Sequence, residues 1–283
     1  MTTAVATAAP GLPGPPRLPT HKDLPETDGT VPTNFHQHIQ SGLFSGCIRP
    51  LLGRLFPDGR FIVGNDSFIY WRMTDPPTRG AKAPDWFLVL GVEPMLEGEW
   101  RRSYVLWQEV ISPLIVVEYF SGDGAEERDR TPFEGKFWVY EKGIKATYYA
   151  ILDGMRGTLD LHARHGDGYR PVQANAAGRY PIPELGVELG LWHATLEGTT
   201  GWYMRPWDAA TGEMLPSHDE DRARVGEAER VADDMRRDLA AEAEQTLRAR
   251  RDADDARRQT DEARGLADRL AARLRELGVD PAA

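Results

Sequence analysis

Asp85, Glu118 and Lys136 are the three residues of this chain whose types and placement could do chemistry together. Asp85 stands at the mouth of the apolar run WFLVL, and Glu118 closes the run LIVV. Short continuous apolar runs of this kind read as buried β-strands. An acid at the end of such a run costs several kcal/mol, on the order of 2–7 for a polar group and more for a charge, unless it is paired or binds a cation. Two acids on adjacent strands can form one anionic pocket for a hard divalent cation such as Mg²⁺ or Mn²⁺. A lysine on a following helix would then face charge developing on a phosphate. Together these groups make the working set of metal-assisted phosphodiester hydrolysis.

The elements that must position these groups lie on both sides of them. Phe35, Ile39, Leu43, Cys47, Leu51 and Leu55 recur every four residues, with Ile48 and Leu52 widening the stripe. That spacing predicts an amphipathic helix starting at Thr33 or Asn34. Pro50 predicts a kink or a break near Arg49. GRFIVGNDSFIYWR (59–72) reads as two β runs broken at Gly64-Asn65-Asp66. WFLVLGV (86–92), SYVLWQEV (103–110) and PLIVVEYF (113–120) read as further strands. A helix is expected from about Pro132 to Gly143, with proline early and glycine at its stop. TYYAILD (147–153) and TLDLHAR (158–164) follow as strands about a Gly-Met-Arg turn, with shorter β pieces in YRPVQ, VELGLWHATLEG and GWYMRPW. The fold class is α/β or α+β, a central mixed sheet flanked by helices.

Composition sets the outer limits. The chain has 283 residues, 41% of them hydrophobic, enough for a sizeable core. Every Trp, Tyr and Phe falls between Phe35 and Trp207, so the core belongs to a domain spanning 33–217. Residues 1–32, rich in Pro, Gly, Ala and Thr, are expected to be disordered. They lack the charged start and apolar centre of a secretory signal. Residues 218–283 read as one long charged helix ending at Gly278, with a thin Ala/Leu heptad seam in which Glu242 is the only ionisable residue. A coiled coil and a solvated single helix are both compatible with that seam. Cys47 is the only cysteine, which excludes an internal disulfide and points to a reducing, cytoplasmic setting. No apolar run is long enough for a membrane span. The net charge of −10 leaves no strongly basic segment. A nucleic-acid contact would need a local patch such as Arg128, Arg130, Lys136, Lys142 and Lys145, which also reads as a solvated helix face.

The order of motifs resembles the restriction-endonuclease family of the Uma type, within the PD-(D/E)xK nuclease superfamily. The resemblance covers about residues 34–205. It rests on Pro84-Asp85, on Val116-Val117-Glu118-Tyr119-Phe120-Ser121, and on Asp129 followed by Lys136, Tyr140, Gly143, Tyr148-Tyr149 and Asp153. His36, with Ile39 and Leu43, fits the family's first helix. The resemblance implies a restriction-endonuclease-like fold and a metal-dependent DNA endonuclease. Asp85 and Glu118 would ligate Mg²⁺ or Mn²⁺ with the main-chain carbonyl of Tyr119, and Lys136 would act on the water or the phosphate.

One departure stands out. Phe120 occupies the position where the superfamily motif places its lysine, and the resemblance implies that the lysine has migrated to the following helix, which makes Lys136 the candidate. Two readings follow: an active nuclease, or an inactive nuclease-like binding protein that recruits a partner through residues 218–278. Accessory candidates are Asp66, equally a turn residue, His36, and Tyr140, four residues beyond Lys136 on one helix face. DNA is the expected partner, and the sequence is compatible both with a homodimer and with a protein partner bound through residues 218–278. No P-loop, dinucleotide fingerprint or zinc spacing is present.

Overall fold

The computed structural model describes residues 17–26 and 35–276. The chain divides into two units, one ending at Asp219 and the other beginning at Glu220.

The first unit is built on helix α1 (Phe35–Leu55) and strands β1 (Phe61–Gly64), β2 (Ile69–Tyr70), β3 (Ala81–Lys82), β4 (Trp86–Leu90), β5 (Tyr104–Val105), β6 (Ile115–Tyr119), β7 (Tyr148–Asp153), β8 (Thr158–His165), β9 (Gly168–Pro171), β10 (Tyr180–Ile182), β11 (Val187–Leu196) and β12 (Thr199–Asp208). The central sheet has six strands in the order β1-β4-β6-β7-β8-β9. Its neighbours run antiparallel except for β6 and β7, which run parallel. Smaller sheets are formed by β3-β2-β5 and by β10-β11-β12.

Strict alternation divides the central sheet into two apolar faces. Trp86, Leu88, Ile115, Val117 and Tyr119 pack against Phe44, Ile48 and Leu52 of α1 and against the β10–β12 sheet. Phe87, Val89, Val116, Tyr149 and Ile151 face the other way, onto Phe137, Val139, Tyr140 and Ile144. A parallel pair requires a crossover connection. Here the crossover spans residues 120–147 and carries helix α3 (Ala125–Arg128) and helix α4 (Lys136–Trp138), which continues as a π-turn over Val139–Ile144. That crossover lays Lys136 over the second face.

Several sequence-based expectations are corrected. Helix α1 runs through Pro50 as one element, with its described start at Phe35; Thr33 and Asn34 lie outside the described residues. SYVLWQEV is strand only at Tyr104–Val105. It then forms a short helix α2 (Leu106–Glu109) ended by Val110 in the left-handed region, φ 67°. The helix expected from Pro132 begins at Lys136, because Phe133 at φ 68° breaks helical geometry and Gly135 is extended. The last two β pieces form one hairpin of two ten-residue strands, whose turn residues Glu197 and Gly198 both have positive φ, as a tight primed turn demands. Within the stretch expected to be disordered, residues 17–26 are docked. Leu24 and His21 are buried, and the Pro19 and Pro25 carbonyls accept from Trp107 Nε1 and Tyr70 OH. Residues 1–16 and 27–32 lie outside the described residues.

The described part of the second unit is all helix α5, which begins two residues earlier, at His218, and continues to Glu276 without a buried residue. Its expected stop at Gly278 lies outside the described residues. Arg–acid pairs one turn apart, such as Arg236–Asp233 and Arg248–Glu244, line its surface. No helix among the described residues is long and apolar enough to cross a membrane.

Candidate metal and phosphate site

The register of β4 and β6 decides where the two acids sit. Trp86 is opposite Val117, so the next step outward sets Asp85 opposite Glu118 on the same sheet face. Pro84 cannot extend the ladder, since it lacks an N–H. The Asp85 carboxylate takes over, and its Oδ2 accepts the N–H of Tyr119 at 2.5 Å. The side chain of Tyr119 points to the opposite face, where its hydroxyl accepts from Ser41 on α1 at 3.2 Å. Only the main chain of Tyr119 therefore serves the Asp85 edge.

Glu118 is fully buried. Its Oε2 accepts from Lys136 Nζ at 3.0 Å, and its Oε1 accepts from the hydroxyl of Tyr140. Lys136 and Tyr140, one turn apart, thus grip the two oxygens of one carboxylate. Burial pushes the Glu118 carboxyl up, opposed by Lys136 and Tyr140. Burial, then the charge of Glu118, pushes the Asp85 carboxyl up to about 9. Burial presses the Lys136 ammonium down, but Glu118 and its other acidic neighbours lift it well above the ordinary lysine range.

Two glutamates join this cluster that sequence reasoning passed over. Glu126 Oε1 lies 3.2 Å and Glu127 Oε1 3.9 Å from Lys136 Nζ. Glu127 has no solvent exposure and accepts from Ser121 Oγ at 2.9 Å. Its other oxygen has no hydrogen-bond partner among the described residues. The Ser-containing loop after β6 marked this stretch, but no pattern revealed that α3 turns Glu127 inward. Lys82 on β3, three residues before Asp85, was also missed. Burial lowers its ammonium, as does the charge of Lys136, while Glu118, Glu126 and Asp129 pull it the other way.

The remaining candidates fall around this centre. Asp66 is a turn residue at φ 44° whose N–H donates to the Pro84 carbonyl, and its charge reaches Asp85. His36 lies elsewhere: its Nε2–H donates to the Trp202 carbonyl at 3.1 Å and its ring stacks on Tyr203, on the α1 side of the sheet. His36 lines a cavity of about 350 Å³ with Tyr119, Phe120, Leu152 and Met155. Phe120 is a fixed part of the loop after β6. A Cβ at Gly124 would sit 1.9 Å from its ring, and the Arg128 guanidinium lies 4.9 Å from the ring centroid. Asp153 caps its own turn, accepting from the N–H groups of Met155 and Arg156.

The expected basic patch is largely neutralised. Arg128 pairs with Asp160, Arg130 approaches Glu141 at 3.8 Å, and Lys142 donates to the Asp167 carbonyl, while Lys145 is exposed and forms no ion pair among the described residues. Among the described residues no group of three or more His, Cys, Asp or Glu side chains is arranged to hold a metal. A cation at Asp85 and Glu118 would draw its third protein ligand from the main chain.

No curated protein matches the chain at a significant level. The model of a family described as "Putative restriction endonuclease" matches residues 27–197, which contain Asp85, Glu118, Lys136 and the whole sheet from β1 to β9. With well over half of its length matched, and with the acids and lysine gathered on one face of a mixed sheet, the chain belongs to the Uma2 family of restriction-endonuclease-like proteins.

Proposed function

We propose that this protein is a DNA endonuclease of the PD-(D/E)xK type that hydrolyses phosphodiester bonds with Mg²⁺ or Mn²⁺. The observation that carries the reading is the register pairing of Asp85 with Glu118 on one sheet face, with Lys136 3.0 Å from Glu118.

The donor set fits a hard dication. Both acids offer carboxylate oxygen, the ligand such ions prefer. Burial and the charge of Glu118 push the Asp85 carboxyl up to about 9, and a dication between the two carboxylates would oppose both effects. A strand residue's N–H and C=O leave the same edge, so the Tyr119 carbonyl faces the side on which its N–H meets Asp85. Asp85, Glu118 and that carbonyl would hold the ion. When bound, such an ion acidifies a water and polarises the scissile phosphate.

The chain's own groups do the positioning. Tyr140 and Lys136 fix both oxygens of Glu118, so its carboxylate is pre-oriented. Lys136 remains protonated and cannot serve as a general base; its part is to keep the like-charged carboxylates of Glu118, Glu126 and Glu127 together. The alternative, a nuclease-like binding protein without turnover, is favoured by Phe120 in the usual lysine position and by the commitment of Lys136 to carboxylates.

Cleavage of supercoiled plasmid and short duplexes by the purified protein, with Mg²⁺ or Mn²⁺ against EDTA, tests the proposal. Cleavage is expected only with metal, and Asp85→Ala or Glu118→Ala should abolish it. Metal-dependent cleavage that survives both substitutions would sink the assignment.

A further inference from the structure

Lys136 is surrounded by acid. Three carboxylates, those of Glu118, Glu126 and Glu127, lie within 4.0 Å of its ammonium. That charge is balanced inside the protein and adds little attraction for a phosphate outside it. Lys82 stands in the same electrostatic neighbourhood, coupled to Lys136, Glu118, Glu126 and Asp129. Yet among the described residues no carboxylate comes within ion-pair distance of it and no hydrogen bond holds its Nζ. It is only partly buried, at the end of β3, from which Ala83 and Pro84 lead directly to Asp85. Of the other cations expected to meet DNA, Arg128, Arg130 and Lys142 are engaged by acids or a main-chain carbonyl, and Lys145, although exposed, precedes β7 at the end of the sheet away from Glu118, since Tyr148 pairs with Ile115 and Ile151 with Glu118.

We propose that Lys82 is the phosphate-binding cation of this site, the group that meets a DNA phosphate next to the Asp85–Glu118 pair while Lys136 organises the carboxylates. A lysine is suited to this as a compact point charge on a flexible stem. The inference rests on the nuclease reading above and divides its two lysines by role: Lys136 acts inward on Glu118, and Lys82 acts outward on substrate.

Binding of a fluorescent 20-base-pair duplex to the full chain in EDTA, where no cleavage occurs, isolates this contact. One phosphate contact to duplex DNA contributes about 0.9 to the slope of log affinity against log salt. Lys82→Met should therefore weaken binding at all sequences tested and flatten that slope by about one. Lys82→Arg should restore the slope. Arg236→Met, which removes an exposed guanidinium paired with Asp233 on α5, is the control and should leave it unchanged. Acylation of surface amines in the unmutated protein, followed by mass spectrometry, gives a second measurement independent of folding. DNA should shield Lys82 from the reagent. Duplex binding with an unaltered slope in Lys82→Met, or an unshielded Lys82, overturns the assignment and leaves the nuclease reading standing. Failure to bind any nucleic acid would overturn both.

Discussion

Asp85 is held between two demands, a buried strand edge and a charge beside Glu118. Its carboxyl is raised from the ordinary 3.8 to about 9 in the fold. In the unfolded chain it ionises near 3.8, so the unfolded state loses its proton first as pH rises. The contribution of Asp85 to stability is therefore greatest below about pH 4 and falls progressively until about pH 9. Asp85→Asn keeps an oxygen for the Tyr119 N–H and removes the charge. In EDTA its melting temperature should exceed the parent's at pH 8, by roughly 2–4 °C per kcal/mol regained, and the gain should vanish near pH 4. Mg²⁺ should raise the parent's melting temperature and leave that of Asp85→Asn unmoved; equal shifts in both would place the ion elsewhere. Glu127 acts one layer out. Glu127→Gln preserves a group for Ser121 but withdraws a charge 3.9 Å from Lys136. It should lower kcat about tenfold while leaving duplex affinity in EDTA unchanged, since it touches the lysine and not the substrate.

The element that delivers Lys136 is short and tightly constrained. Gly135 precedes it, and a Cβ there would lie 2.3 Å from the Asp129 carbonyl oxygen. That carbonyl is itself fixed, accepting the N–H of Phe137 at 3.0 Å. The backbone on both sides of the clash is committed, so Gly135→Ala must push α4 outward. Urea unfolding should show a loss of about 1–3 kcal/mol, the usual range for overpacking, and cleavage should fall with it because Lys136 leaves Glu118. Gly122→Ala is the contrasting change: its φ is 55° but nothing lies within 4 Å of a built Cβ. It should cost only about 1 kcal/mol and retain activity. A larger loss at Gly122 than at Gly135 would contradict this account of the crossover.

At the scale of the whole molecule, the two units differ in what holds them. Residues up to Asp219 enclose apolar layers on both faces of the sheet, whereas α5 buries nothing along its length. Its Arg–acid pairs are exposed, and such pairs contribute only a few tenths of a kcal/mol each. Leu239, Leu266 and Leu270 are more than half exposed. Removing residues 220–283 should leave the cooperative unfolding of the remaining domain within about 1 kcal/mol of its value in the full chain, measured by denaturant titration. If the thin Ala/Leu seam pairs two copies, Leu270→Asp with Leu274→Asp will lower the molar mass seen by light scattering. Unfolding of the shortened chain would show that α5 stabilises the domain after all.

Local pattern alone specified part of this protein. Apolar runs ending in acid placed Asp85 and Glu118 at the tips of β4 and β6, because a buried strand cannot carry an unpaired charge farther in. The proline-free, charged stretch after residue 218 spelled a helix without a core face. Tertiary structure decided everything that depends on which strands are neighbours. Pairing of Trp86 with Val117 put the two acids on one face; a slip of one residue would have put them on opposite faces. The parallel placement of β6 and β7 required a crossover, and the path of that crossover set Lys136, Tyr140 and Glu127 around Glu118. Lys82 and Glu127 carry no spacing that marks them, since their relation to Glu118 spans three separate elements. His36 fits a motif by position, yet the packing of α1 against β12 gives its ring to Tyr203 and its Nε2 to Trp202. Local sequence can specify the ends of strands; only long-range packing specifies what those ends meet.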